Sequence, residues 1–485
     1  MVGLDSVLLR NRWLASAMAM VVGGASAFLL LRGDARVVIA LILTVVAGLA
    51  VFLWPRATVL FLVAWLPFQE MVRRMLIPAA GWSPNDPILL FVPAVVGIYC
   101  LLHPVFRKPW NDVTRWMVVV LAVACVQAVS PMGAGVRANL IGALFVVIPL
   151  LWFFVGRTVD ARTIDLIVRA IPFLGIIVGA YGMYQFNIGF LPWDKAWVHV
   201  AGYAALYVGG FVRPFATFAS SAEYETFVLI AALVSFALAF RLRGVAAMLY
   251  GALGVALWAV GFLDGSRTGM VYTAAGVGIL WAYRVESRRY IRLIAAAIGT
   301  VVIYLAVVHG HHFASGGLGS TTRAGQMFSH QMSALSQPFK SKTSTLTLHL
   351  YYLGHGLLYG LRHPLGEGLG LITPAGGRFG HASMTTELDY ANFLIAGGII
   401  GGLAYMWVIL LVAYRSLTQP SPLSLAAYVL PAILLLTNGE WMNGGYYFIS
   451  ALIWLLIGSL LGPIFGTGDA VAAPKLGSSA DEDVD

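Results

Sequence analysis

Residues 36–54 read RVVIALILTVVAGLAVFLW. After Arg36 the run carries no charge, and it is long enough to cross the hydrocarbon core of a bilayer. Backbone polar groups in lipid must be paired within their own segment, so such a run is a helix. Runs of this kind recur outward in both directions: 13–31, 57–68, 86–103, 115–131, 138–156, 163–185, 224–241, 245–263, 268–284, 290–308, 389–414, 424–438 and 446–463. That makes about 14 spans, with both termini on one side of the membrane. The alternating pattern of a transmembrane barrel is absent. The expected fold is all-α: a polytopic transmembrane helix bundle with two long outer loops, the second partly helical.

Composition agrees. The chain is 60% hydrophobic and 11% charged, with a mean hydropathy of +0.84. A net charge of +9 could suit nucleic acid. Cytoplasmic Lys and Arg account for most of it in a membrane protein, so no nucleic-acid partner is expected. Cys100 and Cys125 both fall in predicted spans and read as small apolar residues rather than a disulfide. Arg10 and Arg12 precede the first run, and Ala25-Ser26-Ala27 looks faintly like a cleavage site. The apolar text continues past it, so an uncleaved first helix is expected.

Basic residues orient the bundle. One set of connections carries Arg10, Arg12, Arg56, Arg107, Lys108, Arg115, Arg157, Arg162, Arg241, Arg243, Arg284, Arg288, Arg289, Arg292 and Arg415. The opposite short connections carry Arg32, Arg36, Arg73, Arg74, Arg137 and Arg267. The richer side is cytoplasmic. The organisation that follows is N-terminal helices over 1–185, a first periplasmic loop over 186–223 and helices over 224–308. A large periplasmic loop then spans 309–388, C-terminal helices fill 389–465, and an acidic cytoplasmic tail, 466–485, is expected to be disordered. The setting is the bacterial inner membrane.

The spans are nearly free of ionisable groups. Asp165 and Arg169 lie within one turn near the inner end of their helix and read as snorkelling groups. A coupled carrier usually places charge near the bilayer midplane, which makes a transporter or flippase the lesser reading.

Polar chemistry gathers outside instead. The stretch 309–388 holds eight of the ten histidines. In the first loop, FLPWDKAWVHVAGYAALYVGG (190–210) is aromatic and suits a segment lying in the interface. RPFATFASSAEYETF (213–227) follows. Ser220 or Ser221 can cap the next helix, and Glu223 and Glu225 favour its N-terminal dipole; a catalytic role for Glu223 is compatible with that. The turn LDGSRTG (263–269) puts Arg267 beside a helix N-terminus, where it either binds an anion or bonds the preceding helix's carbonyls. In the second loop, LTLHLYYLGHGLLYGL (346–361) fits an amphipathic interfacial helix. RHPLGEGLG (362–370) brings Arg362 and His363 beside glycines. Thr385 or Thr386 can cap the returning helix, whose first turn holds Glu387 and Asp389, expected to face the outer aqueous layer. HGHH (309–312) lacks the cysteines or helical spacing of a zinc site, so neither metal nor cofactor is expected.

Arginines and carboxylates just outside an apolar bundle suit an amphiphile with a diphosphate at the lipid interface. Arginine would hold and neutralise the diphosphate as a leaving group, and a carboxylate or histidine would take a proton from an acceptor hydroxyl. The implied reaction is glycosyl transfer from a lipid-linked sugar.

From about 210 to 415 the chain resembles the O-antigen ligase and O-antigen polymerase superfamily. The resemblance rests on RPFATFASSAEYETF, DGSRTG, HPLGEGLG and ELDYANFLIAGGIIGG (387–402), in that order. It implies an undecaprenyl-diphosphate-linked glycan as substrate, with Arg213 and Arg267 on the diphosphate. Arg323 and Arg362 are further diphosphate candidates, and Glu387, Asp389, His363 and Glu223 are catalytic candidates, with His381 an alternative base from the loop. The resemblance also implies a chain-length regulator and a flippase as pathway partners, alongside membrane lipid. Ligases of the family commonly place a His-Asn pair ahead of the returning helix. Here that position reads Glu387-Leu388-Asp389-Tyr390, which favours a polymerase of capsule, exopolysaccharide or O-antigen repeats over a ligase acting on lipid A core or protein.

Overall fold

A computed structural model gives the architecture. It describes residues 35–83, 86–103, 105–106, 109–201, 207–208, 211–265, 267–284, 290–300, 325–327, 346–381, 384–386, 388–418, 424–437, 441–442 and 447–460. The helices in chain order are α1 (Ala35–Leu53), α2 (Pro55–Met75), α3 (Phe91–Leu102), α4 (Asp112–Ala128), α5 (Gly135–Gly156), α6 (Ala161–Asn187) and α7 (Pro192–Ala201). They continue as α8 (Ser221–Arg241), α9 (Gly244–Asp264), α10 (Arg267–Tyr283), α11 (Leu346–Arg362), α12 (Asp389–Thr418), α13 (Leu425–Thr437) and α14 (Tyr447–Leu460). One small antiparallel pair, β1 (Tyr207–Val208) with β2 (Phe211–Val212), closes the loop before α8. Among the described residues six helices are long and apolar enough to cross a membrane: α1, α5, α6, α8, α9 and α12. The chain is an all-α membrane protein by that measure. The expected number of about 14 spans is not reached by these six, and the first expected run, 13–31, lies outside the described residues.

Burial sorts the helices. The most apolar 18-residue stretch of α8 is 78% buried, while that of α9 is 17% buried. So α8 is central, and α9 lies at the periphery with Val245, Met248, Leu249 and Val255 exposed, as a lipid-facing helix requires. From Phe448 to Leu460, α14 is buried throughout and packs on α5. The approach there is backbone to backbone: a Cβ on Gly458 would sit 1.9 Å from the Phe153 carbonyl oxygen. Small residues at such crossings let helices meet closely where hydrocarbon offers no hydrophobic drive.

The segment expected as one span, 389–414, is not one straight helix. Gly398 has φ 65° and ψ −167°, a conformation for which glycine is suited. Phe393 and Tyr405 are 12 residues apart, about 18 Å along a straight helix. Their ring centroids are only 5.3 Å apart. Tyr405 also donates to Asp389 Oδ2 at 3.2 Å. Thus α12 is a hairpin of two limbs, 389–397 and 399–418. The reversal frees backbone groups that must find partners in an apolar setting. Residues 364–368 supply them: Glu367 N donates to Ile395 O at 2.9 Å, Gly368 N to Ala396 O at 3.1 Å, and Ile399 N to Pro364 O at 3.0 Å. A Cβ on Gly398 would lie 2.2 Å from Pro364 O, so the two segments are in backbone contact. Gln127 holds the same loop through Leu365 O at 2.7 Å, and Asn139 Oδ1 accepts from Gly370 N at 2.7 Å.

Several local expectations change. Asp165 does not snorkel; it accepts the N–H groups of Leu425 and Ala426 at 3.3 and 3.1 Å and caps α13. The aromatic segment before β1 does not lie on lipid with all its rings. It forms α7, whose Trp197 is buried with Ile77 and Phe215, and whose Asp194 is fully buried. Residues 346–361 do form a helix, α11. One face packs on the first limb of α12 through Gly356 and Gly360, and the other exposes Tyr351, Leu358 and Leu361.

Candidate functional site

The polar side chains gather where the C-termini of α2, α6 and α9 meet the N-terminus of α8. Arg213 is the centre. Its Nη2 donates to Glu225 Oε2 at 3.0 Å and to Asp264 Oδ2 at 2.9 Å, and its Nε donates to the Asp264 carbonyl at 2.7 Å. The guanidinium therefore links the N-terminal part of α8, at Glu225, to the last residue of α9. It also caps the last carbonyl, that of Asp264, at the negative end of α9. One cation between two buried carboxylates leaves the triad with a net negative charge when both are ionised. Any anion bound by Arg213 must compete with partners already in place.

Ser220 caps α8, accepting from Glu223 N at 3.3 Å. The Glu223 carboxylate does not return to the cap, as a capping box would require. It is 4% exposed and accepts from Phe448 N at 3.0 Å. It thus ties α8 to the start of α14.

Asp389 does the corresponding job from the other side. It is buried rather than facing an outer aqueous layer. Its Oδ2 accepts from Trp441 N, from Met442 N at 2.6 Å and from the Tyr405 hydroxyl. Two carboxylates singled out from the sequence as catalytic candidates therefore hold one connection, Asp389 at residues 441–442 between α13 and α14 and Glu223 at the start of α14. Trp454 Nε1 adds a bond to Trp441 O at 3.0 Å, and Trp441 Nε1 one to Thr437 Oγ1 at 2.9 Å.

His363 ends α11. Its ring stacks on Tyr359 with centroids 4.1 Å apart, and its Nε2 lies 3.7 Å from Glu367 Oε1. Arg362 beside it is exposed. Glu387, Arg323 and the side chain of Arg267 lie outside the described residues, as does HGHH. Arg267 begins α10, three residues after Asp264. Among the described residues no cluster of metal-ligating side chains occurs.

A second group was not foreseen. Arg36, Arg73 and Arg74, taken from the sequence as residues of short exterior connections, are 6%, 4% and 0% exposed. Arg36 pairs with Asp86 and donates to Gly81 O; Arg73 pairs with Glu70 and, at 3.2 Å, with Asp86. Arg74 lies 3.5 Å from Asp194 and bonds the carbonyls of Ala216 and Phe218. Three arginines thus meet three acids. The available signal was their departure from the positive-inside bias: cations on the sparse side need a local reason. Glu70 lies one turn before Arg73 in the same helix, but Asp86 and Asp194 come from other segments, and those pairings are tertiary.

The four sequence anchors fall into two contacting pairs. RPFATFASSAEYETF meets DGSRTG through Arg213 and Asp264, and HPLGEGLG meets the AGGIIGG reversal through its backbone. No protein-family model matches the chain, and no curated protein or solved structure matches it. What stands without them is a membrane protein whose long apolar helices carry a buried polar layer at one end.

Proposed function

We propose that the chain is a membrane glycosyltransferase of the O-antigen ligase and polymerase type, polymerising undecaprenyl-diphosphate-linked oligosaccharide repeats at the periplasmic face of the bacterial inner membrane. The observation that carries this reading is the ion triad of Arg213, Glu225 and Asp264. It joins two stretches 51 residues apart, both chosen from the sequence for the same chemistry, and sets Arg267 three residues beyond it in the chain.

In this reading Arg213, with Arg267, meets the diphosphate at the helix ends, and the triad's carboxylates hold the guanidinium's orientation until the anion arrives. The bond from the anomeric carbon to the diphosphate breaks as a hydroxyl of the next lipid-linked unit attacks. The departing diphosphate keeps the electron pair and is neutralised by arginine. The acceptor's proton goes to a carboxylate, Glu387 or Glu223, or to His363. Glu223 and Asp389 hold the α13–α14 connection against this layer, and Arg362 and Arg323 belong to the same exterior loop. A chain-length regulator and a flippase would act before and beside it.

The buried arginine and carboxylate layer of α1, α2 and α7 favours a second reading, a transporter of the lipid-linked sugar, because carriers bury paired ionisable groups. The ligase remains the nearest enzymatic alternative. Incubating the purified protein with a defined lipid-linked oligosaccharide and sizing the lipid-attached products separates them. Lengthened chains are expected. Movement of the unit across a vesicle without lengthening, or transfer only to a non-lipid-linked acceptor, rejects the polymerase.

A further inference from the structure

Residues 215–218, Phe-Ala-Thr-Phe, form a turn between Arg213 and the cap of α8. Ala216 has φ 44°, the sole non-glycine residue with positive φ among the described residues. An alanine in that region is strained and persists only when its surroundings over-determine it. Here they do. Gln185 Oε1 accepts from both Phe215 N and Ala216 N, at 3.0 and 2.8 Å. Arg74, wholly buried, donates to Phe218 O at 2.8 Å and to Ala216 O. Its guanidinium lies 4.6 Å from the centroid of the Phe215 ring. Asp194 ties the two holders together, accepting from Gln185 Nε2 at 3.0 Å beside Arg74. Thr217 is 2% exposed, and its hydroxyl finds no hydrogen-bond partner among the described residues.

Burying a guanidinium is costly, and a glycine at 216 would have removed the strain without help. The chain instead keeps an alanine and surrounds it with three buried polar side chains from α2, α6 and α7. The turn leads directly from Arg213 to Glu223. We propose that Arg74 and Gln185 are positioning residues of the transfer site: by clamping the 215–218 turn they set where Arg213 and Glu223 stand relative to one another. What is being positioned rests on the glycosyl-transfer reading above; the clamp itself does not.

The test uses the full-length protein with Cys100 and Cys125 replaced by alanine and Thr217→Cys added. Thiol labelling at 217 reports the turn, and elongation of a lipid-linked oligosaccharide reports the site. Arg74→Lys keeps the charge but loses the fork that reaches two carbonyls. Gln185→Met removes the acceptor for both N–H groups and serves if Arg74→Lys does not fold. Labelling is expected to rise about tenfold or more in each, with kcat per folded molecule falling by a similar factor and KM within about twofold. Adding Ala216→Gly to Arg74→Lys relieves the strain, and is expected to restore protection and part of kcat. Because kcat is read per folded molecule, a residue that served only global stability would leave it unchanged. Unchanged labelling in both variants overturns the proposal, as does faster labelling with unchanged kcat. If the parent protein elongates nothing, the functional reading fails, and the labelling alone decides whether the clamp exists.

Discussion

Arg213 Nη2 stands 2.9 Å from Asp264 Oδ2 and 3.0 Å from Glu225 Oε2. All three side chains are largely buried, so removing the arginine leaves two buried carboxylates without the cation between them. Arg213→Ala should cost about 3–5 kcal/mol, the range for breaking a buried pair from one side. Asp264→Asn should cost less, since Glu225 still answers the guanidinium. The double variant should be more stable than the sum of the singles predicts. Thermal unfolding of the detergent-solubilised protein measures all three. Strict additivity would show that the triad is not coupled.

Asp389→Ala should be more damaging than Asp389→Asn. The alanine strands the N–H groups of Trp441 and Met442 and the Tyr405 hydroxyl. Each buried unsatisfied donor costs about 1–3 kcal/mol. Asparagine keeps one acceptor oxygen and the side-chain shape. The fraction of monodisperse protein after extraction, compared between the two, checks this. Equal behaviour would mean that the α13–α14 connection does not depend on that carboxylate.

Gly398→Ala should abolish folding of the C-terminal helices. A Cβ there meets Pro364 O at 2.2 Å, and the positive φ is unfavourable for alanine. Gly366→Ala should do the same, because its Cβ would meet Ala396 O at 2.3 Å from the opposite segment. Limited proteolysis between 363 and 398 should be accelerated in both. Resistance equal to the unmodified chain would argue for a continuous α12.

If the chain elongates lipid-linked chains, Arg267→Ala and Glu387→Gln should each abolish turnover while inserting normally in the membrane. Glu223→Gln should lose less, since its carboxylate already serves Phe448 N. Product ladders from the three variants give the order. A silent Glu387→Gln together with an inactive His363→Ala would move the base to the histidine.

Asp165→Ala should destabilise the protein by about 1 kcal/mol through loss of the α13 cap. Leu425 N and Ala426 N are its partners, 260 and 261 residues away. A shift in melting temperature with unchanged activity is the expected result. A large loss of activity without loss of stability would return Asp165 to the functional candidates.

Single-residue chemistry carried the sequence reading as far as the helices. Apolar runs such as 36–54 and 224–241 have one stable form in lipid, so α1 and α8 were readable without any partner. The capping of α8 by Ser220 was equally local. Apart from Arg73 with Glu70, one turn away, the pairing of charges around Arg36, Arg73 and Arg74 was not local. Nothing near Arg74 in the chain announces Asp194 or the carbonyls of a turn about 140 residues on. Nothing in ELDYANFLIAGGIIGG by itself says whether Gly398 bends a helix or merely lightens it. That depended on residues 364–368 arriving with free N–H groups and a carbonyl to replace the missing turn. So the sequence alone determined that this is an apolar helical membrane chain with its polar chemistry concentrated in the segments between the apolar runs. Only the tertiary structure decided which carboxylates are anchors, which arginines are buried, and where a helix reverses. The physical reason is that burial in an apolar medium obliges every polar group to find a partner, and the partners came from distant parts of the chain.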